Sequence, residues 1–236
     1  MFRVMKIYSY FQLNLKFSFL LFLILFYFQT NNLYSQNSFS LGIKSNYSSS
    51  NINFYNNFFP SNLKTNTLES YGLSFVSEIQ NENNIGLRIE FSKATKGWNQ
   101  EFLDGQFYKS KITYINFPIL MNAYLGKSKT KILFSLGPFF DFLLNHTKEF
   151  NLLLENQESI FNADYSSTRD NKFGYGLMVS GGISLDINRN KIQLLSSFQY
   201  NLDNLIDVVE KSVDLPDISN FNTFTISLVY LFKIKN

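Results

Sequence analysis

The sequence of 236 residues contains no cysteine, one histidine and four prolines. Without cysteine, the chain cannot form a disulfide framework, a thiol nucleophile or a thiolate metal site. A lipid-anchored lipoprotein is excluded too, since that modification needs a cysteine at the cleavage point. The single histidine, His146, is the only imidazole in the chain.

An excess of charge of one sign is also missing. The chain carries 21 Lys+Arg against 18 Asp+Glu. Three of the basic residues, Arg3, Lys6 and Lys16, precede an apolar run at the N-terminus, so 18 basic residues remain beyond it against 18 acidic ones. This balance leaves no excess of basic residues for a nucleic-acid-binding patch, so we predict no nucleic-acid partner.

The N-terminal apolar run, Phe17–Phe28, is followed by polar residues. It has about a dozen residues, short of the ~20 that span a bilayer as a helix. A basic start, an apolar centre and a polar end are typical of a secretory signal peptide. We predict a signal peptide over residues 1–35, cleaved after Ser35, and a single domain over 36–236. An uncleaved anchor is the alternative.

Aromatic residues are abundant, at 18% of the chain. Large apolar side chains recur at every second position, as in FGYGLMVSGGISLDI (173–187), which indicates β-strands. Three turn residues, 188–190, join this run to a second one, so the pair predicts a hairpin. Alternating segments recur eight times: 38–47, 69–80, 85–93, 111–125, 131–145, 222–233 and two within 172–202. Pro118 falls inside the fourth segment and predicts a bulge or a strand end there.

The connections between these segments alternate between short and long. The short ones are 81–84, 126–130 and 188–190, and the long polar ones are about 48–68, 94–110, 146–171 and 204–220. Loops over ~12–15 residues are uncommon in compact domains. With both termini on one side, all short turns would lie there and all long loops opposite.

The residue types on the two faces of the strands favour a barrel that spans a membrane. The polar face is built from Gly, Ser, Asn and Thr, which suit the narrow interior of an eight-stranded barrel. The apolar face carries Phe and Tyr near strand ends, as in the aromatic girdles of outer-membrane barrels. We therefore predict an all-β fold, an eight-stranded antiparallel up-and-down transmembrane β-barrel in the bacterial outer membrane. A soluble ligand-binding barrel in the periplasm is the alternative.

One stretch also carries a family resemblance. Tyr114 and Pro118 lie on one strand, Gly137 and Pro138 on the next, and the glycine-rich strand Gly174–Ile187 follows. In these features the chain resembles the PorT-like outer-membrane β-barrel family of Bacteroidota. The resemblance implies an integral barrel. Some members of that family are tied to protein secretion across the outer membrane, but these residues do not single out that subgroup.

Several charged residues are predicted to point into the barrel. They could form a narrow ion or proton path, or they could be paired charges that plug a bore too narrow for a pore. Buried charges persist only when they are partnered, so we favour the plug. The predicted network consists of Arg88, Glu90, Asp141 and Asp186, with Lys44 and Lys172 also facing inward.

No residue pattern predicts an active site. His146 follows the fifth segment, near Asp141. No nucleophilic residue lies at a spacing from it that would indicate a catalytic site. We therefore predict an exposed loop histidine. Trp98 is predicted to rest at the membrane interface or to pack within a loop. The acidic stretch 207–217 lacks the regular carboxylate spacing of a calcium loop, and we predict no catalytic residue, cofactor or metal.

These observations favour a non-enzymatic protein with a structural or accessory role, possibly within an envelope or protein-secretion assembly. Its predicted partners are outer-membrane lipid and envelope proteins that contact the long outer loops. The alternatives are a small channel or ligand-binding barrel and an enzyme at the outer rim that uses His146.

Overall fold

The computed structural model describes residues 37–55, 65–101, 107–151, 165–207 and 217–235. Each strand pairs antiparallel with its neighbour in sequence, and the first pairs with the last to close a barrel. This confirms the predicted fold. Among the described residues, none forms a helix long and apolar enough to cross a membrane. The strands are β1 (Ser38–Tyr55), β2 (Asn66–Gln80), β3 (Ile85–Glu101), β4 (Phe107–Leu125), β5 (Thr130–Asn151), β6 (Phe173–Ile187), β7 (Asn190–Asn201) and β8 (Ile218–Lys235).

Alternate side chains of each strand point into the bore and outward, as the sequence pattern indicates. In β6, Gly176, Met178 and Ser180 are buried in the bore, whereas Leu177 and Val179 point outward and are each 51% exposed. Exposed Leu, Ile, Phe and Tyr side chains continue in this way around all eight strands. An apolar belt of this extent does not face water in a soluble protein.

The short connections lie at one end of the barrel, together with the start of β1 and the end of β8. We call this the turn end. Asn188, at φ 53°, and Gly126, at φ 124°, adopt the left-handed conformations that such tight reversals require. The opposite end, the loop end, carries the connections 56–65, 102–106, 152–172 and 202–217.

Several strands run further toward the loop end than predicted. β1 continues to Tyr55, and most of the predicted loop 94–110 is paired strand, with only 102–106 between β3 and β4. The prediction of a long loop there was wrong. Only ~9–11 residues of a strand span a membrane, and apolar alternation marks only that part. Beyond it, outward positions such as Ser49, Asn51 and Asn53 are polar, so the signal disappears while the strand continues.

Pro118 neither ends β4 nor shifts its register. It pairs with Phe139 of β5, and the same register resumes at Met121 and Leu136. A bulge does occur in this ladder, but nearer the loop end, between Thr113 and Tyr114.

The barrel interior is filled in layers. Apolar side chains form one cluster toward the turn end, a small one of Leu120, Phe139 and Met178, and a large one at the loop end. We call the large cluster the aromatic cap. It combines strand residues with three residues of the long connections 152–172 and 202–217. The strand residues are Ile52, Phe54, Trp98, Tyr108, Ile112, Tyr114 and Phe221, and the connection residues are Tyr165, Leu205 and Ile206.

Candidate functional site: the closed bore

Glu78 is the centre of a polar cluster in the bore. It projects inward from β2 directly opposite Arg88 of β3, and one of its oxygens lies 2.7 Å from the guanidinium. Its other oxygen accepts hydrogen bonds from Lys191 at 2.9 Å and from the Tyr124 hydroxyl at 2.6 Å. Asn122 adds a fourth donor at 3.0 Å. A single carboxylate thus ties together four strands.

Arg88 links this cluster to a second carboxylate. Its guanidinium lies 3.9 Å from Glu90, which is itself paired to Lys44 of β1 at 2.7 Å. Gln193 of β7 accepts a further hydrogen bond from Arg88 at 2.5 Å. The Arg88 and Glu78 side chains have no exposed surface.

A separate ion pair lies nearer the loop end. The Lys96 ammonium donates to Asp141 at 2.6 Å and to Asn201 at 3.0 Å. Asn116 donates to the other oxygen of Asp141 at 2.7 Å. The same ammonium stands 4.5 Å from the centre of the Phe139 ring, a cation–π distance.

The charges across the bore are close to balanced. Each buried cation has a carboxylate within ion-pair distance, so none is left uncompensated in the low-dielectric interior. The arrangement can hold the strands together. Among the described bore residues, it offers no continuous row of free charged groups along which an ion could pass. The members are the cations Lys44, Arg88, Lys96 and Lys191 and the carboxylates Glu78, Glu90 and Asp141.

The predicted network divides into separate parts. Arg88 and Glu90 lie together, whereas Asp141 belongs to the Lys96 pair. Asp186 lies at the turn end, partly exposed, 3.2 Å from Lys131. Lys172 has to be corrected, because it precedes β6 and its side chain is exposed.

Three charged members were missed. Glu78 and Lys191 occupy inward positions in the alternation of β2 and β7, so that pattern could have identified them. Lys96 could not have been found in this way, because its segment was predicted to be a loop.

The aromatic cap closes the bore toward the loop end. Trp98 is fully buried and packs edge-on against Phe54, with ring centres 5.2 Å apart. Trp98 was predicted to rest at the membrane interface or to pack within a loop, and both were wrong, because β3 continues past the apolar belt and turns this side chain inward. Tyr165 enters the cap from outside the strands, where burial and the nearby Asp170 carboxylate raise the pKa of its phenol.

His146 lies within β5 rather than in an exposed loop, so that prediction is also corrected. Its Nε2 is 2.9 Å from the Ser110 Oγ, and its ring packs edge-on against Tyr165 at 4.8 Å. A hydroxyl and an imidazole at this distance are two of the parts of an activated nucleophile. Ser110, however, has no exposed surface, so no substrate reaches it in this conformation.

Within the described ranges, no group of three or more His, Asp and Glu side chains could hold a metal ion. Most of the acidic stretch considered for calcium, residues 208–216, lies outside the described residues. The predicted signal peptide, 1–35, lies outside them as well.

Comparisons with known proteins agree with this architecture. The chain is similar to the outer membrane protein OprG from Pseudomonas aeruginosa, with 11% identity, 86% of this chain and 98% of that chain covered, and a TM-score of 0.50. It is also similar to Neisserial surface protein A, with 10% identity, coverage of 83% and 97%, and a TM-score of 0.44. Ail of Yersinia pestis gives 12% identity, coverage of 82% and 98%, and a TM-score of 0.38. No curated protein matches the chain significantly.

Residues 28–208 match the family model of the outer membrane protein beta-barrel domain. The chain belongs to this family and lies in the outer membrane, with its apolar belt in the lipid bilayer.

Proposed function

We propose that this protein is a non-enzymatic structural or accessory component of the outer membrane, and not a pore. The observation that carries the proposal is the filled bore. Paired charges around Glu78 occupy it toward the turn end, and the aromatic cap around Trp98 occupies it toward the loop end. An eight-stranded barrel has an interior just wide enough for side chains, so these groups leave no open channel.

The loop end supports an accessory role with a protein partner. There β3, β4 and β5 continue beyond the apolar belt, with polar and charged side chains on the outer face, such as Lys109, Lys111 and Glu149. The aromatic cap packs behind this surface as in a soluble domain. Together with the resemblance to PorT-like barrels, this favours a partner in an envelope or secretion assembly.

Planar-bilayer recording of the refolded protein tests the closed bore. We expect no conductance steps above leak. The matched control replaces Glu78, Arg88 and Lys191 together with serine, which removes the charged plug from the same barrel and should increase leak. Stable steps in the unmodified protein, equal in size to those of the control, would contradict the proposal.

A partner at the loop end can be sought by pull-down from gently solubilised outer membranes, followed by mass spectrometry. We expect a stoichiometric envelope protein that is lost when Lys109 and Lys111 are changed to glutamate. Changing Lys127 to glutamate, in a turn at the opposite end, is the matched control and should retain it. If the unmodified barrel is recovered alone, the accessory role within an assembly is wrong.

The rim enzyme is the second candidate, because the hydrogen bond between Ser110 and His146 provides a specific observation in its favour. In our proposal this pair is structural. A fluorophosphonate probe, which labels activated serines, should therefore leave the intact barrel unlabelled. Labelling that disappears in Ser110→Ala and in His146→Gln would favour the enzyme.

A further inference from the structure

The turn end carries a group of exposed basic side chains. Lys127 and Lys129 lie in the turn between β4 and β5, and Arg189 lies in the turn between β6 and β7. All three are exposed, and none of them forms an ion pair within the part of the chain that the structure describes. We call these three residues the basic rim.

Backbone hydrogen bonds hold the two turns of the basic rim side by side. The Lys129 carbonyl accepts a hydrogen bond from Asp186 N at 2.8 Å, and Arg189 follows Asp186 by three residues, which span at most ~11 Å. The Arg189 carbonyl in turn accepts from Lys233 N at 2.8 Å, which ties the second turn to the end of β8. The three cations therefore belong to one continuous surface.

The acidic side chains at this end do not neutralise the basic rim. The Asp186 carboxylate already has a partner, because its Oδ2 lies 3.2 Å from the Lys131 ammonium. Outside the bore, basic side chains outnumber acidic ones among the described residues of the turn end, with Lys127, Lys129, Lys131, Arg189 and Lys233 against Glu82 and Asp186. A surface with this excess of positive charge attracts anionic groups.

The basic rim lies directly beside the apolar belt. Leu125 is 56% exposed and precedes Lys127 by two positions, and Ile187 is 42% exposed and precedes Arg189 by two. Two residues of strand extend at most ~7 Å, and the head-group layer on each side of the hydrocarbon core is about 5–8 Å thick. The cations therefore lie at the depth of the lipid phosphates, whereas a soluble protein or a cell-wall polymer would have to reach them from the aqueous side of that layer.

Short turns of outer-membrane barrels face the periplasm, so the basic rim belongs to the periplasmic leaflet. We propose that it binds the head groups of anionic phospholipids in that leaflet. The phosphate oxygens accept hydrogen bonds from the lysine ammonium groups and from the Arg189 guanidinium, and the acyl chains lie against Leu125 and Ile187. A zwitterionic head group carries its own ammonium, which the same cations repel, so the surface selects net negative charge. The basic rim is at the opposite end from the proposed partner surface, so either proposal can be wrong without affecting the other.

Because the chain has no cysteine, a fluorophore can be attached at a single chosen position. Ile187→Cys places it on β6, beside the basic rim. Ile79→Cys is the matched position on β2, 45% exposed at the same end and four strands away around the eight-stranded ring, on the opposite side of the barrel. Each labelled barrel is refolded in phosphatidylcholine vesicles and titrated with lipid that carries a nitroxide at carbon 5 of its acyl chain. The nitroxide lipid has either a phosphatidylglycerol or a phosphatidylcholine head group.

The expected result is a local preference for the anionic lipid. In the Ile187→Cys barrel, the phosphatidylglycerol label should quench at a concentration at least about fivefold lower than the phosphatidylcholine label, the factor that one cation near an anionic surface contributes. In the Ile79→Cys barrel we expect no preference for phosphatidylglycerol. At 1 M salt, where the Debye length is about 3 Å, the preference at position 187 should largely disappear.

Two triple variants in the Ile187→Cys background assign the effect to the basic rim. Changing all three residues of the basic rim to glutamine should abolish the preference. Changing Lys93, Lys109 and Lys111 to glutamine removes the same net charge from the loop end and should leave the preference unchanged. Heat-modifiable migration on a gel reports whether each variant has folded.

Three outcomes would overturn the inference. An equal preference at positions 187 and 79 would mean that the lipid responds to the overall charge of the barrel and not to a local surface. A preference that survives in the basic-rim variant would place the responsible charge elsewhere. If position 187 shows no lipid preference, but the unmodified barrel in neutral detergent sediments with purified peptidoglycan and the basic-rim variant does not, the surface binds the cell wall instead.

Discussion

The Glu78 cluster gives the sharpest prediction for stability. In Glu78→Gln the side chain keeps its shape but loses its charge, so Arg88 and Lys191 lose their common anion. Both Glu78 and Arg88 are fully buried, and Arg88 retains only Glu90, at 3.9 Å. Removing one partner of a buried ion pair costs about 3–5 kcal/mol, because the remaining charge is left uncompensated. The equilibrium between folded and unfolded barrel should therefore shift by a factor of more than ~100.

The measurement is reversible urea unfolding in thin-lipid vesicles, followed by Trp98 fluorescence. Glu149→Gln is the control, because it removes the same charge from an exposed pair with Lys111. Exposed pairs contribute about 0–1 kcal/mol, so this variant should unfold close to the unmodified protein. A double-mutant cycle of Glu78→Gln with Lys191→Met should give a coupling of about 0.5–3 kcal/mol.

Glu78→Gln and Glu149→Gln unfolding at the same urea concentration would contradict a buried Glu78 cluster. Equal effects would mean that water reaches the Glu78 cluster and screens it as it screens the outer surface. The bore would then be hydrated and open, and the proposed plug would lose its main support. This experiment therefore tests the same feature as bilayer conductance, by an independent route.

Three further predictions concern the wall and the cap. Gly176→Ala brings a methyl group against the backbone carbonyl oxygen of Tyr200, its nearest atom, and 2.7 Å from the Phe139 ring. It should destabilise the barrel by about 1–3 kcal/mol in urea unfolding; Gly181→Ala, with its nearest neighbouring atom at 3.8 Å, should not, and equal effects would contradict this packing. Leu228→Arg puts a charge near the middle of the apolar belt and should cost about 2–4 kcal/mol in vesicles; a loss below 1 kcal/mol would mean that this face is not in lipid. Trp98→Ala leaves a cavity in the aromatic cap and should cost about 3–5 kcal/mol, measured by near-UV circular dichroism during unfolding; an unchanged midpoint would show that the cap contributes no stability.

The sequence was sufficient for the barrel because one rule governs the lipid-facing part of each strand. Side chains alternate with a period of two, and lipid demands an apolar residue at every outward position, so runs such as 173–187 are unambiguous. The same rule fails where the wall leaves the membrane. Residues 94–101 were predicted to be a loop because their outward positions are polar, and the inward placement of Lys96 and Trp98 was lost with them.

Which charged residues form ion pairs with each other could not be predicted from the sequence, for a different reason. Alternation predicts that Arg88, Glu90 and Asp141 point inward, but which charges meet depends on the register between strands and on the tilt of the barrel. Glu78 pairs with Arg88 across one ladder, whereas Lys191 reaches the same carboxylate from β7, 113 positions along the chain. No local pattern encodes that contact.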